Sequence, residues 1–472
     1  MSHDPLPVLR SIAPYLAEWA TFQAEYRGVP GLQLAVAHRG EVLVDVAWGR
    51  ANVETGEALT SEHLFRIASH SKTMTAVVVM RLVEDGLLRL DDRAGDHVAE
   101  LAGTPAAGVT VRELLGHQGG VIRDSSDGDF WQRSRPFLDR EQLLDVVRTE
   151  GVVYEPNERF KYSNIGYSVL GLVLESVTGK GYAQLCDELV VRPLGLQRSG
   201  PEYVTERAAE YAAGHTGLTA HGDRRRVIRH VDTRAMAAAT GWYSTARELT
   251  TYGAAHVLGE TSLLTDASKR LMQREESVVQ IRGREVGRYG LGLSLGTIGE
   301  RKVVGHSGGY PGHITRTWID PEDGLVVSAL TNAIDGPADA IATGVVQLVN
   351  LATAAAQEDP DPVPVDLAVT GRFASLWTVT DLVDLGGILH AINPRLPEPV
   401  NAHARLTVSG DRLVQEPLPG FGPTGEPVTV ERDDDGAVTS VRLGTMTSYP
   451  IERFRGAMAA DDPAALLDRI AL

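Results

Sequence analysis

The sequence predicts an α+β fold followed by a small all-β domain, and three observations carry that reading. A strand pair opens the chain, helical periodicity fills its middle, and strands return before residue 350. A proline-rich acidic stretch then gives way to three hairpin signals. At 472 residues the chain exceeds one compact core, so two domains are expected, 1–357 and 366–472.

Leu32 to Val46, LQLAVAHRGEVLVDV, alternates and breaks at Arg39-Gly40, as a β-hairpin does. Ser71 to Leu87 reads as a helix with Met74, Val77, Val78, Leu82 and Val83 on one face and Gly86 near its end. Further helices are predicted at Val111–Leu115, Arg140–Glu150, Gly166–Thr178 and Tyr182–Leu189. Strands are predicted at Val303–Val304, Arg316–Ile319 and Leu325–Thr331, so one sheet draws on both ends of the first domain. Gln357 to Asp366, QEDPDPVPVD, reads as a linker. Beyond it, Thr378–Leu385 and Ile388–Asn393 flank Gly386-Gly387. Arg405–Val408 and Leu413–Gln415 flank Ser409-Gly410-Asp411, and Val428–Arg432 and Val438–Leu443 flank Asp433 to Gly436. Three such pairs indicate a small antiparallel, barrel-like domain.

Composition narrows the function. The 62 acidic against 45 basic side chains give a net charge of -17, which repels phosphate backbones and anionic membranes. Neither nucleic acid nor membrane is expected as a partner. The N-terminus has no basic segment leading into an apolar core, and no apolar run approaches the ~18–20 residues that span a bilayer. A cytoplasmic location is the expectation. The single cysteine, Cys186, lies in a helical pattern and reads as a buried core residue. No metal-ligand cluster or phosphate-binding glycine loop is visible, so no cofactor is expected.

Phe65 to Ala76, FRIASHSKTMTA, places Ser69 three residues before Lys72 at a helix start. A serine N-cap with a surface lysine explains the spacing as well as a nucleophile with its base does. The chain has only five lysines, at 72, 161, 180, 269 and 302, and otherwise uses arginine. Arginine keeps its proton in a protein, whereas a buried lysine gives it up. Residues i and i+3 share a helix face, so the amine sits beside the hydroxyl. Two later stretches fit the same chemistry: Tyr162-Ser163-Asn164 in FKYSNIGYSVLG and His306-Ser307-Gly308 in VVGHSGGYPG. Ser71 and His70 fall on other helix faces, and His117 reads as a loop brace.

With FRIASHSK, LLGHQGG, FKYSNIGYSVLG, ATGWYSTARELTTYG and YGLGLSL, the chain resembles the serine β-lactamase-like, penicillin-binding-protein-like superfamily from about Pro30 to Asn350. Class C β-lactamases, D-aminopeptidases and β-lactamase-fold esterases are the relatives it is most similar to. The resemblance implies an antiparallel sheet flanked by helices plus a helical subdomain, and the C-terminal part is similar to a lipocalin-like appendage. It implies that Ser69 is acylated, that Lys72 and Tyr162 share general-base work by lowering each other's proton affinity, and that Asn164 holds Lys72. Substrate binding falls to Asn164, His306, Ser307, Gly308 and Gly309, with oxyanion donors at the backbone N–H of Ser69 and Gly309. His306 stands where many β-lactamases have lysine, which points toward esterases and D-aminopeptidases. Gln118-Gly119 replaces a hydroxyl pair, which is expected to loosen that loop. In the insertion Val121 to Phe137, Trp131 and Phe130 are candidates for an acyl pocket and Arg123 for a carboxylate anchor. An ordinary surface loop fits that stretch equally.

The expected activity is hydrolysis of a small-molecule ester or amide. Transfer of the acyl group to an amine or alcohol, β-lactamase or D-Ala-D-Ala carboxypeptidase action, and a non-catalytic binding role remain alternatives, and the oligomeric state is open.

Overall fold

The computed structural model describes residues 4–132, 135–220, 222–358, 367–401, 403–409, 412–416 and 422–459. The chain forms two compact units: Arg27–Ala342, and Met1–Tyr26 together with Thr343–Leu472. In the larger unit one antiparallel sheet has nine strands. Their order is Glu57–Ala58, Glu41–Asn52, Gly31–His38, Leu325–Thr331, His313–Ile319, Arg301–Tyr310, Ser294–Ile298, Arg284–Tyr289 and Ser277–Ile281. The expected α+β architecture is present, with its sheet joined from both ends of the unit. Leu32 lies opposite Thr331 and His38 opposite Leu325. Arg39 and Gly40 close the first hairpin at φ 48° and 82°, the left-handed pair that a two-residue turn requires.

The central strands Gly31–His38 and Leu325–Thr331 are buried along their whole length, so both faces of the sheet are covered. One cover is the helix Ala246–Ala254, which packs on both strands. Gly253 permits the approach, because a Cβ there would stand 2.6 Å from Val326 Cγ1.

The helix after the FRIASHSK stretch runs Ser71–Glu84 and is preceded by a 3₁₀ turn at Ala68–His70. Every residue from 71 to 80 is buried. Over that stretch the expected one-sided stripe is therefore enclosed on all sides, with the small residues Ser71, Thr73, Thr75 and Ala76 covered as well. It also stops three residues short of the expected Leu87, and Gly86 turns the chain at φ 72°. The other expected helices are present as Val111–Leu115, Arg140–Thr149, Asn164–Thr178 and Tyr182–Cys186, the last continuing as a π-turn over Asp187–Val191.

The smaller unit holds a closed eight-stranded barrel, from Gly371–Ala374 through Met446–Pro450. Phe373, Leu382, Leu389, Leu406, Val428 and Val441 form its core. Gly386 and Gly387, at φ 69° and 92°, make the turn between Val379–Leu385 and Ile388–Ile392. The expected turn at 410–411 and linker residues 359–366 lie outside the described residues. The units divide differently from the expected 1–357 and 366–472, because the helix Leu6–Tyr26 and the chain from Thr343 onward group with the barrel. Tyr15 donates to Asp381 at 3.0 Å, Arg372 grips the same carboxylate at 2.6 and 2.8 Å, and its guanidinium lies 4.3 Å from the Phe22 ring.

One sequence expectation needs correction. Ala338–Ala355 is long and apolar enough to cross a bilayer by length and composition. Ile341, Ala342, Val345, Val346, Leu348, Val349 and Ala352 are buried, which is the pattern of a core helix.

Gly308 sits where the Arg301–Tyr310 strand meets the turn before Ser69. A Cβ there would stand 2.1 Å from the Ile67 carbonyl, whereas one on Gly309 meets only Ile314 Cδ1, at 3.6 Å. Thermal or urea unfolding is expected to show Gly308→Ala destabilised by about 1–3 kcal/mol. Gly309→Ala should remain within about 0.5 kcal/mol of the parent.

Candidate active site

The site begins with a strained turn. Ala68 has φ 46°, a conformation a non-glycine residue enters at a cost of about 1–3 kcal/mol. Neighbours hold it there. Ser71 Oγ donates to the Ala68 carbonyl at 2.5 Å and accepts from Trp242 N at 3.0 Å. His70 faces the His313–Ile319 strand, with Nε2 3.0 Å from Thr317 Oγ1 and Nδ1 3.1 Å from Thr315 Oγ1. Ser71 and His70 thus brace the turn, as their helix faces predict. Ser69 is left as the one incompletely buried residue between Leu64 and Met80.

Lys72 is fully buried. Its Nζ lies 3.1 Å from Ser69 Oγ, 2.7 Å from Asn164 Oδ1 and 2.9 Å from the Ala239 carbonyl. Burial holds its pKa well below the ordinary lysine value. Two of its three contacts are oxygens that only accept. A neutral amine satisfies both with its two N–H groups and turns its lone pair to the Ser69 hydroxyl.

Tyr162 OH donates to Ser69 Oγ at 2.8 Å, so amine and phenol converge on one oxygen. The expected mutual lowering of proton affinity is not found, since neither group is a cause of the other's shift. Lys72 is lowered, chiefly by burial, but burial raises Tyr162 far above the ordinary phenol value. The pair divides the work: the amine is equipped to take a proton, and the phenol to donate a hydrogen bond. Ser163, between Tyr162 and Asn164 in the chain, is an N-cap whose Oγ accepts from Gly166 N at 2.7 Å and starts the helix that carries Asn164.

Ser69, Tyr162, Asn164, His306, Ser307 and Gly309 line one cleft of about 1360 Å³. Gly308 does not line it; its contact is with the Ile67 carbonyl behind the nucleophile turn. The surroundings of His306 favour its neutral form. Its Nδ1 lies 2.6 Å from the Ser307 carbonyl, which only accepts, and so carries the hydrogen; in the neutral ring Nε2 is then left to accept from Tyr289 OH, 3.0 Å away. Burial drives its pKa well below 6.5. A cation does stand nearby. Arg316, opposite Ser307 in register, lies over Trp318 at 3.4 Å and pairs with Asp339 at 3.0 Å.

The insertion divides. Trp131 and Arg123 line the cleft, but Phe130 is buried and packs on Phe137 at 5.1 Å, so it belongs to the core. The LLGHQGG loop is not loosened, since Gln118 Nε2 donates to the Glu276 carbonyl at 2.6 Å. His117 packs among Phe160, Tyr162, Tyr167 and Tyr289 and accepts from Ser163 N, a brace as expected. Sequence reasoning missed Asp124, which accepts from Asn164 Nδ2 at 2.7 Å, and Tyr289. Both lay in stretches already singled out, but an acid beside an arginine reads as a surface pair. Cys186 is buried with its thiol pushed up to about 12 and is no nucleophile.

The His306 hydrogen-bond pattern is directly observable. Two-bond ¹H–¹⁵N spectra are expected to show the Nδ1–H tautomer from pH 8 down to pH 5.5. Protonation of this ring with a midpoint near 6.5 contradicts the assignment.

A beta-lactamase family model matches residues 17–350. Penicillin-binding protein 4* of Bacillus subtilis (strain 168) is 29% identical over 293 residues, which span 59% of this chain and 63%, under two thirds, of that relative. The D-amino acid amidase of Ochrobactrum anthropi SV3 complexed with D-phenylalanine is 26% identical with a TM-score of 0.60, over 71% of this chain and 96% of that one. The crystal structure of SurE is 26% identical with a TM-score of 0.58, over 93% of this chain and 99% of that one. With more than half its length matched, and a serine, a lysine and a tyrosine in hydrogen-bonding contact at the matched core, the chain belongs to the beta-lactamase family of serine hydrolases.

Proposed function

We propose that the protein is acylated on Ser69 and hydrolyses small esters or amides, with D-amino-acid amides as the amide class. The observation that carries the reading is the contact of both Lys72 Nζ and Tyr162 OH with Ser69 Oγ. Ser69 Oγ attacks the carbonyl carbon while its proton passes to the Lys72 lone pair. The backbone N–H groups of Ser69 and Gly309 receive the oxyanion. Tyr162 lends its proton to the leaving group as the tetrahedral intermediate collapses; in deacylation its phenolate takes a proton from the attacking water, and Lys72 returns its proton to Ser69 Oγ as the acyl group leaves. Likeness to the D-amino acid amidase supports the amide class. The neutral His306 supports esters and amides over β-lactams, since it offers no charge to a β-lactam carboxylate.

The test is rapid mixing with p-nitrophenyl butyrate and with D- and L-phenylalanine p-nitroanilides, alongside intact-mass detection of an acyl adduct. A burst with an adduct on Ser69, and a preference for the D-anilide, are expected. Ser69→Ala should lose at least ~10³ in rate, and Lys72→Ala a comparable factor. Turnover unchanged in Ser69→Ala overturns the proposal. On the acid side, acylation should rise with pH as Lys72 loses its proton, at a midpoint well below the ordinary lysine value.

A further inference from the structure

We propose that Asp124 is a positioning residue: it fixes the Asn164 amide with its oxygen toward Lys72 and so holds the Lys72 amine against Ser69. This rests on the acyl-enzyme reading above.

The argument starts from donor and acceptor identity. Asp124 Oδ1 lies 2.7 Å from Asn164 Nδ2 and 3.0 Å from Trp131 Nε1, and its other oxygen lies 3.2 Å from Arg123 Nε. A carboxylate oxygen accepts and never donates, so the side of the amide that faces it is the NH₂. The amide oxygen is then left for Lys72 Nζ, at 2.7 Å. Rotating the amide by half a turn sets oxygen against oxygen and N–H against N–H, and loses both bonds. Without the carboxylate the two orientations are no longer distinguished on that side. The loop that carries Asp124 is itself pinned, because Asn164 N and Ile165 N donate to the Arg123 carbonyl at 2.7 and 3.2 Å. The carboxyl lines the cleft at 13% exposure and is held in place by the Trp131 indole, a donor only.

Asp124 also acts through charge. Around Lys72, the Asn164–Thr178 helix contributes Tyr167, the preceding stretch contributes Tyr162, and His117 and His306 face it from the LLGHQGG loop and the Arg301–Tyr310 strand. Burial keeps all four rings neutral. Asp124, which favours the charged amine, and Arg123, which opposes it, are the charged groups acting on Lys72. Removing the carboxylate charge alone therefore eases proton loss from Lys72 and moves the acid limb of acylation to lower pH.

Asp124→Asn and Asp124→Ala separate geometry from charge. Acylation of Ser69 by p-nitrophenyl butyrate is followed from pH 5 to 10, with melting temperature alongside. Asn keeps an oxygen for both donors, so its plateau rate should stay within about fivefold of wild type while the acid limb shifts down by ~0.5–1 pH unit. Ala should lose about 10–100-fold across the profile, with partial rescue by added formate. If both variants keep the wild-type rate and limb, or lose only melting temperature, Asp124 is a loop anchor and the proposal fails. If wild-type protein is itself never acylated on Ser69, the acyl-enzyme reading fails and the proposal falls with it.

Discussion

Everything in the site depends on one buried amine. An ammonium without a carboxylate in contact is costly in a low-dielectric interior, and the cost is relieved by giving up the proton. Lys72 is in that position. Its direct partners are an amide oxygen, a backbone carbonyl and a hydroxyl, and the nearest acid reaches it only through Asn164. The tyrosines and histidines around it are held neutral by the same burial. The pocket that strips water from Lys72 therefore also prepares its neighbours: the phenol stays protonated as a donor, and the imidazoles add no charge.

Keeping that amine beside an exposed hydroxyl demands a backbone that resists relaxation. Ala68 at φ 46° is the strained link, and three structures converge on it: Ser71 from the helix, Trp242 from the segment behind, and Gly308 from the sheet. The absence of a side chain at Gly308 is as much a part of this as any hydrogen bond. It lets a strand lie against the Ile67 carbonyl and so brings Gly309 to the cleft beside Ser69. The helix Ser71–Glu84 is the anchor, and from 71 to 80 its small polar residues Ser71, Thr73 and Thr75 are buried along with its apolar face.

Much of this was legible beforehand, and the misses have physical causes. The hairpin at Arg39-Gly40 and the strand Leu325–Thr331 were readable because alternation, turn residues and β-branched side chains agree there. The edge hairpin Ser277–Ile281 with Arg284–Tyr289 was not, since a half-exposed edge strand carries charges that look like loop. The helix Leu6–Tyr26 was hidden by Pro14 inside it. At the site, Ser69, Lys72, Tyr162 and Asn164 were readable as spacings and stand together in space. Asp124, Tyr289 and Arg316 were not, because each owes its place to pairing across the fold rather than to a local pattern.

Lysine scarcity, which drew attention to position 72, is weaker evidence than it first looks. Lys269 is as fully buried as Lys72 in the same lysine-poor chain. Yet its ammonium contacts the Asp266 carboxylate at 2.8 Å and donates to the carbonyls of Val257 and Glu260. There a cation is wanted, at the end of a loop it ties down, and three donors meet three acceptors, one of them an acid. At Lys72 the third contact is a hydroxyl that has its own proton to give, and no acid touches the amine. Rarity therefore does not separate a base from a structural cation. What separates them is the third partner: an acid fixes the charge on lysine, and a hydroxyl invites the lone pair.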